Sequence, residues 1–411
     1  MLINNWYVAA DSADIKVGEP TSVKMLGFDF VLYRLESGAV VCLSDVCVHR
    51  GASLSRGNCV DENVACPFHG WEFAPDGNCA KIPSMGEDFT TRRAKVDSYP
   101  TEEVYGWIWV FLGDLEEEDR PPIPNLLPEY HDTDNWRTTR MWFEVDANWQ
   151  KFEENSLDTA HITYVHSTFG NRTDRKHTPA QIKSTYYGKK VRRERKAPKA
   201  TQKSGVLGKL LSEERSKTVV ELEFCLVGIA HRINPQFRPG MSQATFSAST
   251  PIDSKRTRQF GLQARNYAIE PENDQERIDG RRQAIDEDIA VITHVRPAIG
   301  PTSFSDEMLV QSDQMETEFR KMVMRMIDAG YEIDHEKVEA QWDRKIYVIP
   351  SPARRRDPKG WVHEAVPTTK PRNDKIWLEL KQEAEADMAK VAQNEPAQSA
   401  AQGDKNGGAA E

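Results

Sequence analysis

The sequence predicts an α+β protein in which a small all-β unit precedes an antiparallel sheet held against helices. Three observations carry that prediction. Roughly the first 115 residues alternate short β-rich runs with turn signals. An acidic, proline-rich crossover follows, and beyond it strand-like runs lie between two helical segments that carry metal-binding residue types. The chain has 411 residues, room for two or three domains of about 100–200 residues each. Its 38% hydrophobic content, with 10 Trp and 15 Phe, supplies real cores. A formal net charge of −10 argues against a nucleic-acid partner. No apolar run approaches the ~18 residues of a membrane span. The opening MLINNWYVAADS lacks the basic and apolar regions of an export signal, so the expected setting is the cytoplasm. There, reduced thiols are expected rather than a disulfide cluster. Cys42, Cys59, Cys79 and Cys225 read as small packing residues.

Taken in order, FDFVLYRL (28–35) and AVVCLSDV (39–46) flank Glu36, Ser37 and Gly38, a hairpin signal. The next stretch, CVHRGASLSRGNCVDENVACPFHGW (47–71), holds Cys47 and His49 as a C-x-H pair and Cys66 and His69 as a C-x-x-H pair. Pro67 and the glycines suit tight loops. Two such loops, each presenting one thiolate and one imidazole, can close around a metal centre. A Rieske-type [2Fe–2S] cluster takes two Cys on one iron and two His on the other. Tetrahedral zinc also accepts two Cys and two His, but zinc modules usually pair Cys with Cys and His with His. The mixed pairs favour the iron–sulfur reading. WEFAPDGNCA then carries a Pro75-Asp76-Gly77 turn, and YGWIWVFL (105–112) is an apolar β-rich run. EEEDRPPIPNLLPEY (116–130) reads as a rigid crossover, and the domain boundary is placed there.

Beyond it, WRTTRMWFEVDANWQKF reads as a strand leading into a helix, followed by Asn155, Asp158, His161 and His166 in ENSLDTAHITYVHSTFG. Asp158 and His161, three apart, are expected on one helical face. His161 and His166 are five apart, so either the helix widens locally or His166 lies just beyond its end. Two histidines and a carboxylate that leave positions open form the facial arrangement of non-haem Fe(II) sites. Paired histidines near a helix end also serve purely structural roles. A distant carboxylate is sought in EPENDQERIDGRRQAIDEDIAVITHV (270–295), which reads as a helix. Asp288 falls on its apolar stripe with Ala284, Ile285, Ile289 and Ile292, whereas Asp286 and Glu287 are expected to point elsewhere. A carboxylate on a buried stripe is costly unless paired or metal-bound. A buried hydrogen-bond acceptor is the plainer role for it, and Asp286, Asp306 and Asp313 are weaker ligand candidates.

Residues 183–217 are unusually basic and include KKVRRERKAPK; this reads as a solvated loop or strand edge, or as a docking surface for an acidic electron-transfer protein. Residues 219–233, 244–250 and 258–266 read as strands, 307–330 as an amphipathic helix, and the segment after about Arg372 as charged and helical. The last residues, AQSAAQGDKNGGAAE, read as a disordered tail. No G-x-G-x-x-G fingerprint is present, so flavin and nicotinamide chemistry is expected on another protein.

The segments CVHRG and CPFHGW resemble the Rieske domain of ring-hydroxylating and demethylating non-haem iron oxygenases. About residues 4–330 resemble the single-subunit branch that includes dicamba monooxygenase and vanillate demethylase oxygenase. The resemblance implies an N-terminal all-β Rieske [2Fe–2S] domain (1–116), a C-terminal helix-grip catalytic domain (117–372), and a charged helical segment with a tail (373–411). It implies Cys47, His49, Cys66 and His69 as cluster ligands, and His161, His166 and Asp288 as ligands of mononuclear Fe(II). Asn155 would be a polar neighbour of the iron. Asp158 would bridge to His69 of the partner subunit in a head-to-tail homotrimer. The implied activity is that of a terminal oxygenase that takes electrons from a separate reductase or ferredoxin. With O₂ it would hydroxylate, or oxidatively demethylate, a small organic, aromatic substrate. Two other readings remain open at this point: a Rieske-type electron carrier, and a zinc-stabilised ligand-binding protein.

Overall fold

The β-rich runs become strands where the turn signals divide them. The computed structural model describes residues 1–86, 89, 91–167, 180–196, 217–300 and 303–394. Its N-terminal part holds eleven short strands: β1 (Asn5–Asp11), β2 (Thr21–Met25), β3 (Phe28–Arg34), β4 (Val40–Ser44), β5 (Asn58–Val60), β6 (Asn63–Ala65), β7 (Glu72–Phe73), β8 (Cys79–Lys81), β9 (Ser98–Tyr99), β10 (Thr101–Val104) and β11 (Trp107–Leu112). They form three sheets, ordered β2-β3-β4-β9, β5-β6-β7-β8 and β1-β11-β10. Every residue of β11 is buried, so both its faces are covered. One of those covers is a larger sheet: the Trp107 ring lies 5.4 Å from that of Phe246 and 6.0 Å from that of Phe260.

That larger sheet has seven antiparallel strands. After β12 (Arg137–Val145) come the helices α1 (Trp149–Leu157) and α2 (Ile162–Val165), then β13 (Ile182–Thr185), β14 (Gly188–Lys196), β15 (Lys217–Cys225), β16 (Ala230–Arg238), β17 (Met241–Pro251) and β18 (Thr257–Arg265). The spatial order is β12-β18-β17-β16-β15-β14-β13. Alternation along each strand separates two environments. Phe246, Ala248, Phe260 and Leu262 join the core around Trp107. Ser247, Ser249, Gln259 and Gly261 lie on the opposite face, toward α1 and α3 (Asp274–Ile292). The helix α4 (Gln314–Asp328) closes the other end of that face, with Phe319 against Phe224 at 5.5 Å. Buried ion pairs lock α1 to α4: Arg320 donates to Glu154 at 2.9 and 2.6 Å, and to Glu307 at 2.8 Å.

Several elements differ from the sequence reading. The run 219–233 is two strands, because Gly228 and Ile229 take positive φ (73° and 46°) and turn the chain back. The helix expected from 307 starts at Gln314, since Asp313 accepts the Val310 N–H at 2.8 Å and fixes a preceding turn. The basic run is β14, beside the edge strand β13, with Lys190 and Arg192 exposed but Val191 and Arg193 buried. The rest of that run, 197–216, lies outside the described residues. Two short helices, α5 (His335–Glu339) and α6 (Pro352–Arg356), precede α7 (Ile376–Asn394). Trp377 of α7 is buried and donates its indole N–H to the Asn4 carbonyl at 2.9 Å, so the charged segment docks on the N-terminus. The tail 397–411 lies outside the described residues. No helix among the described residues is long and apolar enough to cross a membrane.

Candidate metal centres

The two Cys/His loops follow β4 and join β6 to β7, and they are built alike. Gly51 N–H donates to the Cys47 carbonyl at 2.9 Å and Gly70 N–H to the Cys66 carbonyl at 3.0 Å. Cys47 N–H donates to Ala52 at 2.9 Å and Cys66 N–H to Trp71 at 2.8 Å. Both glycines sit at positive φ (72° and 69°), where a side chain would strain the turn. The thiols of Cys47 and Cys66 are buried beside each other. Burial, with the Cys66 sulfur close by, pushes the Cys47 thiol up to about 12. Buried thiols without a cation stay protonated, and a bound metal reverses that. His49 is held below its usual range by desolvation and by the His69 and Arg50 charges, which keeps a neutral ring available for ligation. The two imidazoles are 4.5 Å apart, and His49 stacks on Trp71 at 4.6 Å. His49 Nδ1 is buried with no partner. The set of two thiols, two rings and one orphaned ring nitrogen fits an iron–sulfur cluster. His69 is exposed, as is Phe68 beside it, and a groove of about 500 Å³ lined by Trp71, Ile82, Met85 and Phe89 opens over both histidines.

The second centre lies where α1 ends. Asn148 caps the start of α1, and the helix stops at Leu157, so Asp158 is not on a helical face with His161 as expected. Asp158 is extended (φ −67°, ψ 130°) because its own carboxylate bends back to accept the N–H groups of Ala160 at 2.5 Å and His161 at 3.3 Å. His161 and His166 bracket the single turn of α2, so His166 lies just beyond a helix end. From α3, Asp288 Oδ1 faces His161 Nε2 at 3.4 Å and His166 Nε2 at 3.5 Å. One ligand atom from each of the three lies within 4.8 Å of the others.

The electrostatics of this cluster describe a hole for a cation. Asp288 Oδ1 is buried without a hydrogen-bond partner. Burial pushes the Asp288 carboxyl above its ordinary range, against the pull of His161, His166 and the Asn155 side chain that bonds to it. The far nitrogens of the rings face other carboxylates: His161 Nδ1 lies 3.5 Å from Asp158 Oδ2, and His166 Nδ1 lies 3.1 Å from Glu287 Oε2. Burial raises both outer acids. For Asp158, His161 and local N–H groups outweigh it; for Glu287, Ser167, His166 and Gln283 do; both stay below the usual range. Imidazoles with carboxylates behind them are the usual outer dressing of a metal site.

Glu287 departs from the sequence reading, which pointed it elsewhere; its length lets it reach around the helix to His166. The missing signal was the second nitrogen of His166, which needs an acceptor. Asp286 and Asp306 are exposed, and Asp313 caps a turn. Arg281, two helical turns before Asp288, also went unnoticed: it lies over Gly261 and donates to Ser247 Oγ at 3.2 Å.

Two family descriptions match the chain: a Rieske [2Fe-2S] domain over residues 5–100, and a vanillate O-demethylase oxygenase C-terminal domain over residues 145–329. Among curated relatives, the putative toluene-4-sulfonate monooxygenase system iron-sulfur subunit TsaM2 of Comamonas testosteroni is 33% identical over 169 residues, covering 41% of this chain and 47% of that protein. Cholesterol 7-desaturase nvd of Bombyx mori is 32% identical over 170 residues, covering 40% of this chain and 36% of that protein. The chain thus spans less than half the length of these relatives. In fold it resembles dicamba monooxygenase bound to 3,6-dichlorosalicylic acid, with a TM-score of 0.67 and 22% identity over 83% of this chain and 99% of that one. It also resembles NdmB of Pseudomonas putida CBB5, with a TM-score of 0.65 and 21% identity over 79% of this chain and 91% of that one. The domain pair, with a cluster-type donor set in one half and a two-histidine, one-carboxylate set in the other, makes this chain a member of the Rieske non-haem iron oxygenase family.

Proposed function

We propose that the chain is the terminal oxygenase of a multicomponent system. It takes electrons from a separate reductase or ferredoxin and uses O₂ to hydroxylate or oxidatively demethylate an organic, aromatic substrate. The observation that carries this reading is the convergence of His161 Nε2, His166 Nε2 and Asp288 Oδ1, the last buried without a hydrogen-bond partner among the described residues. A pure electron carrier needs no such second set. When bound, the cluster at Cys47, His49, Cys66 and His69 supplies single electrons, and iron at His161, His166 and Asp288 supplies O₂ activation. The chain's own part is to orient the rings through Asp158 and Glu287 and to hold Asp288 through Asn155. Relatives are named for toluene-4-sulfonate, 3-chlorobenzoate, chlorophyllide and cholesterol, so the substrate class has to be read from this chain itself.

Residues 1–116 act as the electron-delivery domain and 117–372 as the catalytic domain, followed by the docked helix and tail. Exposed His69 and half-buried Asp158 suit a head-to-tail homotrimer in which Asp158 meets His69 of the partner subunit. Six free cysteines suit the reducing cytoplasm. The test is metal content on anaerobically purified protein. Wild type should hold a third iron beyond the cluster pair, and Asp288→Ala should lose that iron with the visible spectrum of the cluster unchanged. A variant that keeps all its iron overturns the reading.

A further inference from the structure

Residues 330–394 lie beyond the part of the chain that matches a catalytic-domain description, and they return to the first domain. Asp97, just before β9, anchors them. It accepts from Ser351 N–H at 2.9 Å, from Ser351 Oγ at 2.8 Å, and from the Arg354 guanidinium at 3.1 and 2.6 Å. Tyr99 OH donates to the Ile349 carbonyl at 2.7 Å. The Trp361 ring meets two cations, Lys95 Nζ at 4.3 Å and the Arg354 guanidinium at 4.2 Å. Held in this way, the segment reaches a cluster loop. Ile346 Cδ1 stands 3.4 Å from where a side chain on Gly51 would begin, and Gly51 closes the loop that carries Cys47 and His49.

This segment turns a basic and apolar face to solvent. Residues 344–359 hold six Lys or Arg and one Asp, on a chain whose net charge is −10. Four of the six are paired: Lys345 with Glu364, Arg354 with Asp97, Arg355 with Asp374 and Arg356 with Glu116. Arg344 and Lys359 are exposed without a carboxylate partner among the described residues, and so are Arg50, Arg92 and Arg93 of the first domain. Arg50 adjoins Gly51, while Arg92 and Arg93 lie against Gly360. Glu364 N–H donates to the Ile346 carbonyl at 3.0 Å, so residues 360–364 join the two groups of cations across at most about 14 Å. Trp342, Ile346 and Val362 add apolar surface along the same stretch, at 56%, 39% and 44% exposure. Of the two acids within 342–363, Asp357 pairs with Lys95 at 3.0 Å, which leaves Asp343 as the one without a cation.

We propose that this face, built largely by the C-terminal segment, docks the electron donor, and that the donor is an acidic iron–sulfur protein. The proposal rests on the oxygenase reading and deepens it by giving the donor a place and a charge. The donor gives up one electron per encounter, and the cluster of this chain takes it. Electrons therefore have to enter near the Cys47 and His49 loop, where Arg50 and Ile346 lie. The exposed basic residues of β14, Lys190 and Arg192, belong instead to the catalytic sheet. Unpaired cations beside exposed apolar side chains suit a partner that is steered by charge and held by apolar contact. The bonds to Asp97 and Tyr99 fix the face in advance, so docking loses little conformational entropy.

The probe is an acidic plant-type [2Fe–2S] ferredoxin. Its binding to anaerobic, oxidised holoenzyme is measured by calorimetry at low and high salt. Its electron delivery is followed by freeze-quench electron paramagnetic resonance, with dithionite as a small reductant that needs no docking face. Two double variants test the face, Arg344→Glu with Lys359→Glu and Arg92→Glu with Arg93→Glu. Arg50 is left in place because its charge also bears on His49. Lys190→Glu with Arg192→Glu on β14 is the comparison. Wild type should bind ferredoxin at low salt and lose affinity as salt rises. Each double variant of the face should weaken binding and slow reduction by ferredoxin about tenfold, with reduction by dithionite unchanged. All six residues are exposed, so the variants should fold; if a Glu pair does not, the matching Gln pair should weaken binding several-fold. Absence of ferredoxin binding in wild type, a loss confined to the β14 variant, or a change in oligomer mass in the face variants overturns the inference, the last because the face would then join copies of this chain. Iron is counted on the same samples. A third iron without ferredoxin binding sinks this inference alone, whereas ferredoxin binding with only the cluster pair of irons sinks the oxygenase reading.

Discussion

Replacing Glu287 should loosen a metal held at His161, His166 and Asp288 without touching any of those three residues. Glu287 Oε2 lies 3.1 Å from His166 Nδ1, while Oε1 accepts from Ser167 Oγ at 2.6 Å and Gln283 Nε2 at 3.3 Å. This three-point hold fixes the plane in which His166 turns Nε2 toward Asp288, and the negative charge makes the ring a stronger donor to metal. Losing such an outer partner typically costs 10- to 100-fold in metal affinity, about 1.4–2.8 kcal/mol. Glu287→Ala removes both the orientation and the charge and should fall at the upper end. Glu287→Gln keeps the shape and one acceptor, and should fall at the lower end. Asp286→Ala, one residue away and exposed, is the control. The assay is anaerobic competition for Fe(II) with a calibrated chelator, with the cluster absorbance monitored to show that the first domain is intact. Equal affinity in Glu287→Ala and wild type, or equal losses in Glu287→Ala and Asp286→Ala, would refute the reasoning.

Three further outcomes are expected. Asp158→Asn should keep both metal centres yet largely stop product formation, with the reduced cluster reoxidising slowly once substrate and O₂ are added; rapid reoxidation in stopped flow would count against a bridging role. Arg320→Ala should lower unfolding free energy by about 3–5 kcal/mol, because it strands the buried Glu154 carboxylate, and urea titration reads this directly. Burial pushes the Glu316 carboxyl up to about 8, with Asp158 and Asp313 nearby adding to the rise. The folded chain then binds more protons than the unfolded one between about pH 4.5 and 8, so this group's stabilisation is full below that window and lost as pH rises through it. Glu316→Gln should therefore match wild type near pH 4.5 and melt progressively higher toward pH 8; a constant gap across the window would show that Glu316 is ionised throughout.

The features legible in the sequence were those set by short spans of chain. Cys47, His49, Cys66 and His69 announce themselves because each loop closes within five residues around a glycine, and such geometry is written locally. Asp288 was readable because a carboxylate among Ile285, Ile289 and Ile292 contradicts its own stripe. Asp158 was misplaced because nothing at Leu157 marks a helix end: no glycine or proline follows, and the stop comes from the Asp158 side chain capturing two N–H groups. Glu287 was missed because phase analysis treats a side chain as a point, whereas a glutamate spans two adjacent sectors of a helix. Arg281 was beyond sequence reasoning altogether, since its slot is an absence, at Gly261, on a strand that only the fold brings beneath it.

The two faces of β17 and β18 have different tenants, and this bears on how the protein can change. Phe246, Ala248, Phe260 and Leu262 belong to the core shared with Trp107, while Ser247, Ser249, Gln259 and Gly261 face α1 and α3. Because the pleat sends neighbours to opposite sides, every second codon here is under a different kind of selection. Change can be accommodated by drift at the codons that face the helices, while the interleaved ones hold the domain together. A saturation library confined to Thr245, Ser247, Ser249, Gln259 and Gln263 should accordingly return mostly folded, cluster-bearing protein with altered ligand preference. The same library shifted by one residue along each strand should return mostly unfolded chains.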